Sequence, residues 1–238
     1  MGSTRPQFDY ELNRLDNRIL RLGSLADNAL GLALRSLLER DSGIARRVVE
    51  GDERINQLRY DIEEQAYQLF ATQQPTAGDM RRVAAAISVA TNLERMADHA
   101  AGIGVLALRL NREPALMPLH DFEAMAKTGR AMLRGAMDAY VNHDPLLARQ
   151  VADQDAMINE VNEALLQELF AVMLHDNRAI QRATYLLWVA RNLERWGDRV
   201  KNICERIIYI VSGQLTNFES FIGPATALEE SALSAQDV

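Results

Sequence analysis

The sequence predicts an all-α fold of six long helices, arranged as two tandem three-helix bundles, and three observations predict it. Apolar residues recur at steps of three and four along most of the chain, the pattern of a helix with one buried face. No stretch sustains the apolar–polar alternation of a half-buried strand. Finally, one stretch is written twice. Residues 89–100 read VATNLERMADHA and residues 189–200 read VARNLERWGDRV, identical at seven of twelve positions. Residues 45–56 (ARRVVEGDERIN) and 148–159 (ARQVADQDAMIN) share six of twelve. The offsets are 100 and 103 residues, so a three-helix unit is duplicated and its second hairpin turn is three residues shorter.

The first helix is predicted over 8–40, with Leu12, Leu15, Ile19, Leu22, Ala26 and Ala29 on one face. Asp41-Ser42-Gly43 breaks it, and a second helix runs from Ile44 to Ala71. Pro75 marks the next turn, with Thr76 or Asp79 as the cap of a third helix that reaches Leu110. The proline-bearing stretch 111–118 is the internal boundary. A fourth helix spans His120–Asn142, a fifth Leu146–Leu174 and a sixth Ala179–Val211, which Gly213 ends. The first repeat thus covers 8–112, the second 119–212, and 213–238 is a loosely ordered acidic tail. Each repeat is long enough to bury a core of its own, and the three-four steps imply left-handed bundle packing.

Composition limits the function. The chain is 48% hydrophobic and 25% charged, a globular balance, and its net charge of −7 argues against nucleic acid as the main partner. One cysteine, Cys204, allows no internal disulfide and suits a reducing compartment. The N-terminus has no apolar core of the signal-peptide kind, and no run of about 18 apolar residues would span a membrane. A cytoplasmic protein is expected, one that partners could recruit to the inner face of the membrane.

Each repeat sets a glutamate four residues before an aspartate, Glu94/Asp98 and Glu194/Asp198. On a helix these carboxylates stack one turn apart on one face, where like charges repel by roughly 0.2–0.5 kcal/mol. The second and fifth helices add Asp52/Asn56 and Asp155/Asn159 at the same spacing. Asp52 and Asp98 are equidistant from Pro75, as are Asn56 and Glu94, and the second hairpin nearly repeats this about Asp176. An antiparallel pair places such residues level. Each hairpin should therefore present three carboxylates and one amide carbonyl at or near the surface. Such oxygen-rich patches suit hard cations, Fe³⁺, Mn²⁺, Mg²⁺ or Ca²⁺, with Zn²⁺ admissible. A solvated acidic surface is the plain alternative.

The doubled LER-x-x-D stretch, QPTAGDMR at 74–81 and the D-x-x-I-N pairs at 52–56 and 155–159 resemble the PhoU family of bacterial phosphate signalling over about residues 8–212. The resemblance implies tandem three-helix bundles and surface iron or zinc sites. It also implies a homodimeric regulator that contacts the phosphate ABC transporter's ATPase subunit and a sensor histidine kinase. Carried onto this chain, one site is Asp52, Asn56, Glu94 and Asp98. The other is Asp155, Asn159, Glu194 and Asp198, with Asn202 four residues beyond, where the first copy has Gly102.

Arg95 and Arg195 either pair with neighbouring acids or help hold an anion, while Asn92, Asn192 and His99 are outer-sphere donors, ligands or structural residues. Trp188 and Trp196 belong to the core or a subunit contact. No Gly-rich phosphate loop or nucleophile motif is present, so no enzyme is expected. A di-iron bundle enzyme would need Glu-x-x-His motifs, and Met96, Met117, Tyr140 and Val172 stand three residues before the four histidines. A metalloprotein outside signalling and a metal-free interaction module are the remaining alternatives.

Overall fold

The computed structural model describes residues 6–215, 217 and 218; most of the tail expected at 213–238 lies outside the described residues. Among the described residues seven α-helices follow in order: α1 (Pro6–Leu38), α2 (Ser42–Gln73), α3 (Ala77–Leu110), α4 (His120–Asn142), α5 (Pro145–Asp153), α6 (Asp155–His175) and α7 (Ile180–Ser212). Among the described residues there is no strand. No helix among them is long and apolar enough to cross a membrane.

Local chemistry explains the boundaries. Asp41 caps α2 by accepting from the N–H groups of Gly43 (2.7 Å) and Ile44 (3.0 Å). Asp144, its counterpart in the second repeat, caps α5 in the same way through Leu146 and Leu147. Arg40, Gln74 and His143 take left-handed backbone conformations at the helix ends. α1 consequently stops at Leu38, two residues short of the expected end. Thr76 precedes α3 without a side-chain cap bond; its hydroxyl donates to Asp79 instead.

One expected element divides in two. The predicted fifth helix is interrupted at Gln154, where Gln154 N–H bonds back to Val151 C=O and Met157 N–H to Gln154 C=O. These i,i+3 bonds tighten the chain locally and redirect it just before Asp155. In the first repeat, α2 passes through the matching position, Gly51, without a break.

Within each repeat the three helical arms pack on one another. Across the repeats, α3 lies along α7 and α1 along α4. Both crossings are close. A Cβ on Gly23 would stand 2.9 Å from Met137 Sδ between α1 and α4. The result is one continuous apolar core, from Phe8 and Leu15 through Leu93 and Met96 to Trp196 and Ile207, in place of one core per repeat. Trp196 is buried and donates its indole N–H to Gly129 C=O at 3.1 Å, and Cys204 is buried with its thiol pushed up to about 12 by burial. Trp188 is 49% exposed and belongs to the surface.

Candidate functional site

The α2–α3 hairpin carries the first patch. Asn56 Nδ2 donates to Asp52 Oδ2 at 3.3 Å, one turn along α2. Asp52 titrates above its ordinary value, first because it is part-buried and second because the Asp98 charge faces it from α3. Glu94 is likewise raised by burial and then by Asp98, while Arg59 and Arg95 oppose the shift. Asp52, Glu94 and Asp98 thus share one electrostatic environment. Asp52 Oδ1 and Asn56 Oδ1 are buried without a hydrogen-bond partner. Arg59, from α2, ion-pairs with Glu63 at 2.7 Å and lies over the Tyr60 ring at 4.0 Å.

The second patch lines a cleft of about 650 Å³ that includes Asp155, Asn159, Glu194, Asp198, Lys201 and Phe218. Asn159 Nδ2 donates to Asp155 Oδ2 at 3.0 Å, repeating the Asn56–Asp52 bond. Glu194 is raised by burial, with the Asp198 and Asp155 charges adding to the shift and Arg191, 3.3 Å away, opposing it.

Two expectations need correction. The acids were expected at or near the surface, but Asp155 is only 2% exposed. Gly197 allows this, because a Cβ there would collide with Asp155 Oδ1. The first copy has Ala97 at the same place. Lys201 compensates the buried charge, its Nζ standing 3.2 Å from Asp155 Oδ2. Asn202 also departs from expectation: it does not line the cleft, and its amide donates to Asn92 Oδ1 across the α3–α7 seam at 3.4 Å. Four residues advance a helix by more than one turn, so each i,i+4 step drifts by about 40° and carries Asn202 off the face of Glu194.

Sequence reasoning missed Lys201, Gly197, Arg59 and Phe218. Lys201 was within reach, since it follows Glu194 by seven residues and Asp198 by three and so shares their face. The Phe218 contact depends on how the chain turns back after Gly213. Its N–H donates to Glu205 Oε1 at 2.8 Å, a contact no local pattern announces.

Comparison with known proteins places this architecture. The model of the PhoU domain matches twice, over residues 19–106 and 122–207. The chain belongs to the PhoU family. It is 35% identical over 208 residues to the phosphate-specific transport system accessory protein PhoU homolog of Pseudomonas putida, covering 87% of this chain and 81% of that one. The homolog of the same name from Caulobacter vibrioides is 35% identical over 212 residues, 89% of this chain and 92% of that one. The crystal structure of PhoU from Pseudomonas aeruginosa superposes with a TM-score of 0.84 at 32% identity, covering 87% of this chain and all (100%) of the other. That of the phosphate transport system regulatory protein PhoU from Streptococcus pneumoniae gives 0.83 at 32% identity, with 89% and 100% covered. The two PhoU-domain matches fall on the two repeats read from the sequence.

The metal ions implied by the PhoU resemblance can be tested against these side chains. Among the described residues, no three His, Cys, Asp or Glu side chains are gathered as a formed metal cage. The first patch has the right donors for a hard cation: Asp52, Glu94 and Asp98 with the Asn56 carbonyl, two of whose buried oxygens lack hydrogen bonds. Binding would require its carboxylates to turn together. In the second patch, Lys201 already supplies a positive charge to Asp155.

Proposed function

We propose that this chain is a non-catalytic regulator of phosphate uptake and phosphate-responsive signalling. It acts in the cytoplasm, as a homodimer, as an adaptor between the ATPase subunit of a phosphate ABC transporter and a sensor histidine kinase. The observation that carries this reading is the twofold PhoU-domain match together with relatives named as accessory proteins of phosphate-specific transport. Exposed Trp188, Phe170, Leu174 and Met157 supply apolar contact points of the kind partner surfaces use. In this reading the acidic hairpins are tuning sites on the adaptor surface. The first, held by Asp52, Asn56, Glu94 and Asp98, takes a hard cation such as Fe³⁺ or Mn²⁺, with Zn²⁺ admissible, which would neutralise carboxylates that otherwise repel. The second is held by Lys201 and serves as a metal-free interaction face, a role its buried ion pair favours.

The test is co-purification of the tagged chain with each partner expressed beside it, together with a phosphate-regulated reporter in a strain lacking the chain. Capture of both partners and restored repression are expected. Capture of neither, with the reporter unmoved, would remove the adaptor assignment.

A further inference from the structure

The seam between the repeats gathers cationic and amide side chains that the acidic patches do not use. α3 and α7 run antiparallel there, with His99 Nδ1 3.2 Å from Asn192 Oδ1 and Asn202 Nδ2 3.4 Å from Asn92 Oδ1. The duplication relates these two contacts. Asn92 and Asn192 are equivalent, and Asn202 stands where the first copy has Gly102, whose Cβ would come within 3.2 Å of Asn192 Oδ1. One side of the seam therefore carries an extra amide. Beside it opens a surface cavity of about 420 Å³ lined by Ser88, Thr91, Asn92, Arg199, Asn202 and Arg206, with Glu205 also on its wall.

The charge there runs against that of the chain, which carries a net −7. Arg199 Nε is buried without a hydrogen-bond partner, and so is His99 Nε2 on the neighbouring helix. Glu205 is the opposing carboxylate. Its Oε1 accepts from Phe218 N–H at 2.8 Å and its Oε2 lies 3.6 Å from Arg206 Nη2, so both oxygens have neighbours. Arginine forks with an amide and a hydroxyl beside them recognise planar or tetrahedral oxyanions through charge-assisted hydrogen bonds. The cavity is too small for a nucleic-acid footprint, which needs an extended basic face.

We propose that the α3–α7 seam around Arg199 and Asn202 binds a small oxyanion of the phosphate class. Arg199 and Arg206 supply the charge, and Asn202 and Ser88 supply hydrogen bonds. The site lies round α7 from the acidic cleft and does not depend on the cation or adaptor readings.

The experiment titrates the full chain, stripped of metal by chelation, with inorganic phosphate at constant ionic strength. Calorimetry follows the heat, with chloride as the control and phosphoserine run in parallel to separate free from esterified phosphate. Saturable binding to one site is expected, at least tenfold weaker in Arg199→Gln and severalfold weaker in Asn202→Gly, which restores the first copy's residue. Lys127→Gln, on the exposed face of α4, should leave the affinity unchanged. Absence of saturation by both ligands up to about 10 mM would overturn the proposal. So would full affinity in folded Arg199→Gln and Asn202→Gly proteins.

Discussion

In the first acidic patch a cation beside the carboxylates is Arg59, which comes from α2 and is shared with Glu63 and the Tyr60 ring, while Arg95 stands 3.8 Å from Glu94. In the second it is Lys201, which comes from α7 and stands 3.2 Å from Asp155. The two patches retain the same Asp, Asn, Glu and Asp, yet the first keeps its acids part-buried and the second buries one of them almost completely. Three substitutions between the copies accompany the difference. Ala97 becomes Gly197, making room for the carboxylate; Ala101 becomes Lys201, adding the counter-charge; and Gly51 becomes Gln154, where the helix is interrupted. A duplicated site can thus come to carry its own counter-charge with its motif letters intact.

The largest effect expected from this comparison is that of Lys201→Met. It leaves Asp155 buried without its partner and should cost about 3 kcal/mol, read by chemical denaturation. An unchanged midpoint would mean that the second patch is not neutralised from within. Next comes added cation, Mn²⁺ or Zn²⁺. At a hundredfold excess over its dissociation constant it should stabilise the chain by about 2.7 kcal/mol. That gain should vanish in Asp98→Asn and survive in Asp198→Asn. Equal loss in both variants would erase the distinction between the patches.

Gly197→Ala should destabilise by about 2 kcal/mol through the clash with Asp155, although alanine is the better helix former. Pairing it with Asp155→Ala should recover most of that loss, and additivity of the two would show the clash to be irrelevant. The smallest effect is that of Glu94→Gln in metal-free protein. Burial and Asp98 raise the Glu94 pKa above 4.5, so the fold loses stability as pH climbs through the raised value. Glutamine escapes that loss. The variant should therefore be more stable by about 0.5 kcal/mol at neutral pH and show no gain below pH 4.5. A gain that persists in acid would point to packing instead of charge.

The hairpin register was legible because it needs only counting. Residues equidistant from Pro75 meet across an antiparallel pair, and Asp52 and Asp98 do feel each other's charge. The position of Asn202 was not legible from the i,i+4 series, because angular drift along a helix matters only once neighbours are placed. The break at Gln154 was equally hidden. Its sequence differs little from α2 in helix preference, and the interruption accompanies the inward placement of Asp155.

By itself the sequence determined the helical class, the duplication and which acidic side chains share a hairpin, since periodicity and spacing are local properties of the chain. Only the tertiary structure decided that the two repeats share one core, that Lys201 neutralises Asp155, and that arginines and asparagines meet along the α3–α7 seam. Those outcomes depend on which helix faces which at what height. Burial energy settles that for the whole molecule at once, and no single segment specifies it.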